Sequence, residues 1–463
     1  MSTRPTVDRE RTGPPVAQND DRADGPGPEA GGPAVAQKEE KPRSLLVRNR
    51  DFRWIWSGET VNLLGAEISV IALPSLAVLA FGEGALGVGL LVALQWIPFV
   101  LLAPVFGVLT DRLRRKPLMQ VANVARFVIL GSLPVMWLFG GLTVTHLYVA
   151  AVLKGVFDVV FQLAYQAYIS QLLPREDFVE GNAKTQMSRS LAIVFGRTAG
   201  GALVGALGAA RAITADALSF LVSSFALWRI RTAEPEPTPS ARGMRATLAD
   251  LRSGLTMTFG NRLLRYLTLM AMFGNLAVSM VLAMVIVYAY QDLGFNAAEV
   301  GLALGLGGAP VLVGALLSQR ITQRLGLGGT LILTHAMLAV AFLVLPLAGT
   351  VGSTGLALVV VIVSQGIATF TTPVANVGIM SMIQKATPPE AMGRMGGVAL
   401  PLVWGANAVG PLLGAAVAAA STNGAAFFLA AILAAGAVVW VLVGGVSRVR
   451  DEVPEEERIV VPA

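Results

Sequence analysis

Seven ionisable side chains interrupt otherwise apolar stretches of this 463-residue chain: Glu59, Glu67, Arg126, Lys154, Asp158, Arg189 and Arg197. A charge at the centre of a bilayer costs about 2.5–3.5 kcal/mol on insertion scales, so each of them is a functional hypothesis by default. The carboxylates are the candidates for carrying a proton. Glu67 ranks first and Asp158 second, with Glu59 third because it sits closest to the end of its stretch. Arg126 and Arg197 lie too deep to reach an interface by snorkelling and need acidic partners, which Glu67, Asp158 or an anionic cargo can supply. Glu67 has two readings, proton carrier or structural partner of one of these arginines. Lys154 and Asp158 are four residues apart and share a helix face, the spacing of a neutralising pair; binding of cargo or proton by Asp158 is the alternative. Gln162 and Tyr165 add neutral donors and acceptors. Arg126, Lys154, Gln162, Tyr165 and Arg197 thus form the expected cargo cavity.

All seven lie in the first half of the chain. The second half offers small and apolar residues, with Met270, Met272, Met280 and Met284 gathered in one stretch; lipid or core packing is the ordinary role of such a stripe, and an adaptable greasy wall is the alternative. A cavity polar on one side and apolar on the other is expected. Asp216 is expected to cap the start of a helix, and His146 and His335 to pack near helix ends. The chain has no cysteine and two widely separated histidines, which excludes disulfides and thiolate metal sites. No nucleophile–base order, phosphate-binding glycine loop or metal spacing is present. Neither enzyme chemistry nor a metal or other cofactor is expected, and the energy for any uphill work must come from an ion gradient or from the cargo's own.

The elements that must position these residues follow from composition. Hydrophobic residues make up 54% and charged residues 14% of the chain, and the mean hydropathy is +0.65, values of a polytopic membrane protein. Twelve stretches near 54–81, 85–109, 117–139, 145–172, 183–208, 212–230, 264–291, 297–318, 328–349, 353–382, 395–420 and 423–446 approach or exceed the ~20 residues that a helix needs to cross a bilayer. Residues 1–43 are rich in Pro, Gly and charge and are expected to be a disordered tail. Arginine and lysine crowd the connections on the tail's side, for example Arg112, Arg114, Arg115 and Lys116, whereas the opposite loops hold Arg211 alone. By the positive-inside rule both termini are cytoplasmic in a multi-pass protein of the cell membrane. The formal charge of +6 is then a matter of topology, and no nucleic-acid partner is expected.

The sequence also repeats itself. A shift of 212 residues lays 85–113 on 297–325, pairing Gly89 with Gly301, Pro98 with Pro310, Thr110 with Thr322 and Arg112 with Arg324. A shift of 214 pairs Pro174 and Glu176 with Pro388 and Glu390. An all-α fold of twelve transmembrane helices in two pseudo-symmetric six-helix bundles is expected, with a site near the midplane between them. The bundles are bounded as 44–231 and 259–447, joined by a polar cytoplasmic linker, 232–258, and followed by a tail, 448–463.

Between the second and third stretches stands GVLTDRLRRKP, residues 107–117. It resembles the G-x-L-x-D-R-x-G-R-K signature of the major facilitator superfamily, with Arg114 in place of the second glycine. The resemblance implies a cytoplasmic gate latched by Gly107, Asp111, Arg112, Arg115 and Lys116, in which Gly107 lets helix ends approach closely. FRWIWSGETVNLLGAEISVIALP (52–74), AYQAYISQLLPREDFVEGNA (164–183) and TADALSFLVSS (214–224) are similar to the drug:proton antiporter branch that includes macrolide effluxers and enterobactin-type siderophore exporters. In FGRTAGGALVG (195–205), Arg197 stands where that branch's helix-5 motif has proline. The resemblance implies export of small amphipathic or drug-like molecules (antibiotic, natural product or siderophore) by alternating access in exchange for protons, by a protein working as a monomer in the lipid bilayer. An uptake carrier or uniporter for a metabolite, and a lipid flippase or scramblase on the same fold, are the alternatives.

Overall fold

The computed structural model describes residues 44–232, 234, 244–387 and 389–445. The tails 1–43 and 448–463, most of the first part of the linker, and the side chains of Asp111, Arg245 and Arg394 lie outside the described residues.

Among the described residues the main helices are α1 (Arg50–Phe81), α2 (Ala85–Arg112), α3 (Arg115–Leu138), α4 (Val144–Leu172), α5 (Phe178–Leu207), α6 (Ala209–Arg229), α7 (Arg262–Gln291), the short α8 (Ala297–Leu306), α9 (Pro310–Val344), α10 (Thr354–Ala386), α11 (Pro389–Ala420) and α12 (Asn423–Val443). Two more stand beside them, Leu45–Arg48 before α1 and Met244–Gly260 before α7, so the linker is partly helical. Short polar caps start several helices at the charge-poor end. The Thr143 and Thr422 side chains accept from the N–H groups of His146 and Ala425, and Asn296 forms a capping box with Glu299, satisfying donors that helix starts leave orphaned.

The eighth and ninth crossings are divided differently from expectation. Pro310 is the first residue of α9 rather than an interior residue of one long helix, and the eighth crossing is built from α8 and the part of α9 before Gly326. Gly326 turns the chain at φ 73° and ψ 171°, a left-handed conformation open to glycine. The repeat shift of 212 residues aligns it with Arg114, so a single glycine in the second half does the work of the charged connection in the first.

Three cores hold the molecule together. One, near the charge-poor ends, is shared by both halves and includes Ile71, Leu76, Met280, Val285, Ala297, Phe342 and Phe427. At the charge-rich ends the cores are separate: Phe52, Met119, Phe161 and Leu227 in the first half, and Leu263, Met270, Leu331 and Val441 in the second. Helix glycines set the contacts between halves. A Cβ at Gly89 would stand 2.7 Å from the Pro411 carbonyl oxygen, and one at Gly301 2.5 Å from the Gly201 Cα. These two glycines are partners in the sequence repeat. Ser75 and Tyr290 share a 2.7 Å hydrogen bond between α1 and α7 at the same end. The halves are thus sealed at the charge-poor end, whereas the cores at the charge-rich end belong to one half each.

Candidate functional site

Four of the seven deep charges, Glu59, Arg126, Lys154 and Asp158, line one cavity of about 260 Å³. Its walls come from α1, α2, α3, α4 and α6. Asp158 is the centre of the polar wall: its Oδ1 accepts from Arg126 Nη1 at 3.0 Å and its Oδ2 from Lys154 Nζ at 2.7 Å. The expected Lys154–Asp158 pair therefore forms, and Arg126 joins it to make a triad. Arg126 is 3% exposed. Its guanidinium is held over the rings of Phe161, 4.1 Å away, and Phe220, 4.5 Å away, and Nη2 donates to Asn123 Oδ1. Asn123 in turn donates to Ser223 on α6 at 3.0 Å, which ties α3 and α6 behind the site. An arginine in apolar surroundings is tolerable when stacked and hydrogen-bonded in this way.

Glu59 lies in the same cavity. It is 7% exposed, and Asn62 Nδ2 donates to its Oε2 at 3.0 Å. No cation lies within ion-pair distance of it among the described residues. Gln162, Trp96 and Phe99 also line it; Phe99 stacks edge-on against Trp404 of α11 with ring centroids 5.5 Å apart.

Two expected cavity residues are not among the residues lining this cavity. Tyr165 is stacked on Phe161 in the first-half core, 5.9 Å between centroids. Arg197 sits on α5, where Nε donates to Glu67 Oε2 at 2.7 Å. That second pair depends on a close approach of α5 to α1, since a Cβ at Gly196 would stand 2.7 Å from Glu67 Cβ and 2.9 Å from the Leu64 carbonyl oxygen. Glu67 is thus spatially the partner of Arg197 rather than of Arg126.

The second half is more polar than its sequence suggests. A pocket of about 130 Å³ is lined by Asn275 on α7, Thr334 and His335 on α9, and Thr371, Thr372 and Asn376 on α10. His335 is no helix-end residue: it is 5% exposed and nine residues past the Gly326 turn. Its Nδ1 lies 2.9 Å from the Leu331 carbonyl, an acceptor only, so Nδ1 carries the hydrogen and Nε2 is left as an acceptor. The repeat supplied the missing signal. Shifts of 213 and 214 residues align Asn62 with Asn275 and Gln162 with Asn376, and the two pockets occupy corresponding helices in the two halves. Three of the four helix-7 methionines, Met270, Met280 and Met284, are fully buried in the cores, the ordinary role of such a stripe, rather than in an apolar cargo wall.

At the charge-rich end, Glu234 was not singled out by the sequence. Its carboxylate accepts from the backbone N–H groups of Arg115 at 2.6 Å and Lys116 at 3.1 Å, with Arg115 Nη1 3.5 Å away, so it caps α3. Lys116 Nζ donates to the Ile230 carbonyl at 2.7 Å. Arg112 is exposed, and a Cβ at Gly107 would meet nothing within 4 Å. Gly107 thus makes no close helix approach in this conformation, contrary to expectation. Asp111, the acid of the expected latch, lies outside the described side chains.

Comparison with known proteins agrees with this architecture. The family model described as Major Facilitator Superfamily matches residues 55–406. A tetracycline resistance protein, class C, of Escherichia coli is 25% identical over 358 residues, 74% of this chain and 84% of that one. An uncharacterized MFS-type transporter, YfiS, of Bacillus subtilis (strain 168) is 23% identical over 218 residues, 47% of this chain and only 50% of that protein's length. Among solved structures, a bacterial homologue of the iron transporter ferroportin in its inward-facing state superposes with a TM-score of 0.70 at 16% identity, covering 87% of this chain and 99% of that one. The nucleoside transporter NupG gives 0.66 at 12% identity, with 86% and 99% covered. At such identities these likenesses concern the fold. With its twelve crossings, its two repeated halves and a family match over most of its length, the chain belongs to the Major Facilitator Superfamily of membrane transporters.

Proposed function

We propose that the protein exports small amphipathic or drug-like molecules across the cytoplasmic membrane in exchange for protons, by alternating access, as a monomer with both termini in the cytoplasm. The observation that carries this reading is the cavity of the first half: an ion triad and a carboxylate without an ion partner, set among the aromatic side chains of Trp96, Phe99, Phe161 and Phe220. Aromatic walls suit a greasy cargo, and a few fixed polar groups orient it.

The triad and Glu59 divide the labour. Arg126, Lys154 and Asp158 together carry one net positive charge that the mutual pairing holds in place. Among the described residues, the hydrogen-bond donor to Glu59 is the Asn62 amide. Burying an unpaired anion is expensive, so a proton and a cationic or hydrogen-bond-donating group of the cargo compete for this carboxylate. That competition is what exchange requires: cargo binding expels the proton, and a proton arriving from the far side expels the cargo. Glu67 and Asp158, ranked above Glu59 on sequence grounds, are ion-paired and take supporting roles in this scheme.

The shared core and glycine contacts that seal the two halves lie at the end opposite the cationic loops. If those loops are cytoplasmic, this conformation is inward-open and loads cargo from the cytoplasm. The likeness to a tetracycline resistance protein supports export and suggests the first cargo to try. Cells expressing the chain should accumulate several-fold less tetracycline than cells expressing Glu59→Gln, and an uncoupler should abolish the difference. Equal accumulation in both, with the two proteins equally abundant, would overturn the assignment of Glu59.

A further inference from the structure

The sequence reading made Asp216 a helix cap, yet α6 begins at Ala209 and Asp216 lies two turns inside it, 0% exposed. Its hydrogen bonding is sparse. Oδ2 accepts from the Ser69 hydroxyl of α1. Oδ1 is 3.4 Å from the Ser219 hydroxyl, which makes its shorter bond, 2.7 Å, to the main-chain carbonyl of Asp216 itself. An ionised carboxylate offers about four lone-pair sites, and here one is well filled. No cation lies within ion-pair distance among the described residues; the charges near enough to act on it are Lys154 and Asp158 of α4 and Arg126 of α3, all committed to the triad. From α1 the group that touches it is Ser69, and a Cβ at Gly65 would stand 2.8 Å from Oδ1, so the packing leaves no room for a further partner on that side.

Ser69 has a second neighbourhood. It lines the cavity that holds Glu59, Asn62 and the triad. Its hydroxyl therefore stands between the cavity and the buried carboxylate.

We propose that Asp216 is a proton-binding site, loaded and emptied through the Ser69 hydroxyl. In the loading step Ser69 Oγ–H passes its hydrogen to Asp216 Oδ2 while a hydronium or protonated group in the cavity supplies a hydrogen to Ser69 Oγ. The oxygen keeps one hydrogen throughout, and the carboxylate becomes a neutral acid. Unloading is the reverse. The site gives the first half a second titrating carboxylate beside Glu59; its role in transport rests on the proton-exchange reading above, but its titration does not.

Infrared difference spectroscopy of the full chain in lipid nanodiscs tests this during a pH titration in light and heavy water. The wild type should show a protonated-carboxyl carbonyl band that Asp216→Asn removes and Glu59→Gln leaves in place. Ser69→Ala should keep the band, shift its frequency, and slow its hydrogen–deuterium exchange at least tenfold, while Ser69→Thr, which retains the hydroxyl, should exchange at close to the wild-type rate. Should Asp216→Asn fail to fold, Asp216→Glu must move the band instead. A spectrum in which neither Asp216 variant alters any titrating band, or in which Ser69→Ala exchanges as fast as wild type, overturns the proposal. Failure of the exchange reading looks different: the band titrates as described, yet added cargo releases no protons from vesicles.

Discussion

The two-glycine contact between α5 and α8 makes the strongest structural prediction. A Cβ added at Gly301 would sit 2.5 Å from Gly201 Cα, 2.9 Å from Gly201 N and 3.1 Å from the Arg197 carbonyl oxygen. Ordinary carbon–carbon contact is about 3.5–4.0 Å, so the clash exceeds ~1 Å, and every atom it meets is backbone that cannot rotate aside. Gly301→Leu must then part the helices at the charge-poor end. Overpacking costs ~1–3 kcal/mol, and the penalty falls only on the conformation sealed at that end. A coupling of that size moves a two-state equilibrium by about 5- to 150-fold. Because the chain has no cysteine, single labelling sites are easy to place. Gln162→Cys should react more slowly with an impermeant maleimide from the charge-rich side in the Gly301→Leu background. Ser75→Cys, buried at the seal, should become reactive from the opposite side. Gly131→Leu, whose Cβ meets open space, is the control. Unchanged labelling at both positions would refute the two-glycine seal.

Other perturbations test the site. Asp158→Asn leaves Arg126 and Lys154 without their shared anion and should lower stability by about 3 kcal/mol, read as a fall in the thermal unfolding midpoint; Lys154→Met in the same chain should recover part of the loss. Arg126→Lys keeps the charge but loses the planar stack between Phe161 and Phe220, and should cost about 1–2 kcal/mol in the same assay. Glu234→Ala removes the acceptor of two helix-start N–H groups and should cost about 1 kcal/mol, with no change in cargo binding measured by tetracycline fluorescence.

The architecture was largely legible because bilayer spanning is a local property: some twenty apolar residues announce a crossing without reference to the rest of the chain. Gly89 and Gly301 were visible as a repeated pair, and the fold gives both the same task at the seal. What remained hidden depends on helix rotation and on partners far away in sequence. Lys154–Asp158 was readable because four residues make one face, but the choice of Arg126 as the third member, and of Arg197 for Glu67, needed the approach of α3 to α4 and of α5 to α1. Asp216 was misread because its helix starts three residues earlier than hydropathy indicated, which turns an apparent cap into a buried carboxylate. The polar pocket around His335 escaped notice for a different reason. It is built from neutral Asn, Thr and His side chains that barely disturb a hydropathy profile, and only its repeat relation to Asn62 and Gln162 marks it.

In the proposed exchange, cargo and protons move in opposite directions through a carboxylate in the first-half cavity. Proton release on cargo addition to energised inverted vesicles measures this directly. With wild-type protein, tetracycline should release protons and partly collapse the pH gradient, and Glu59→Gln should still bind tetracycline but release none. Proton release by Glu59→Gln at the wild-type rate would contradict the assigned carboxylate, and uphill cargo movement by wild type with no proton release at all would contradict exchange itself.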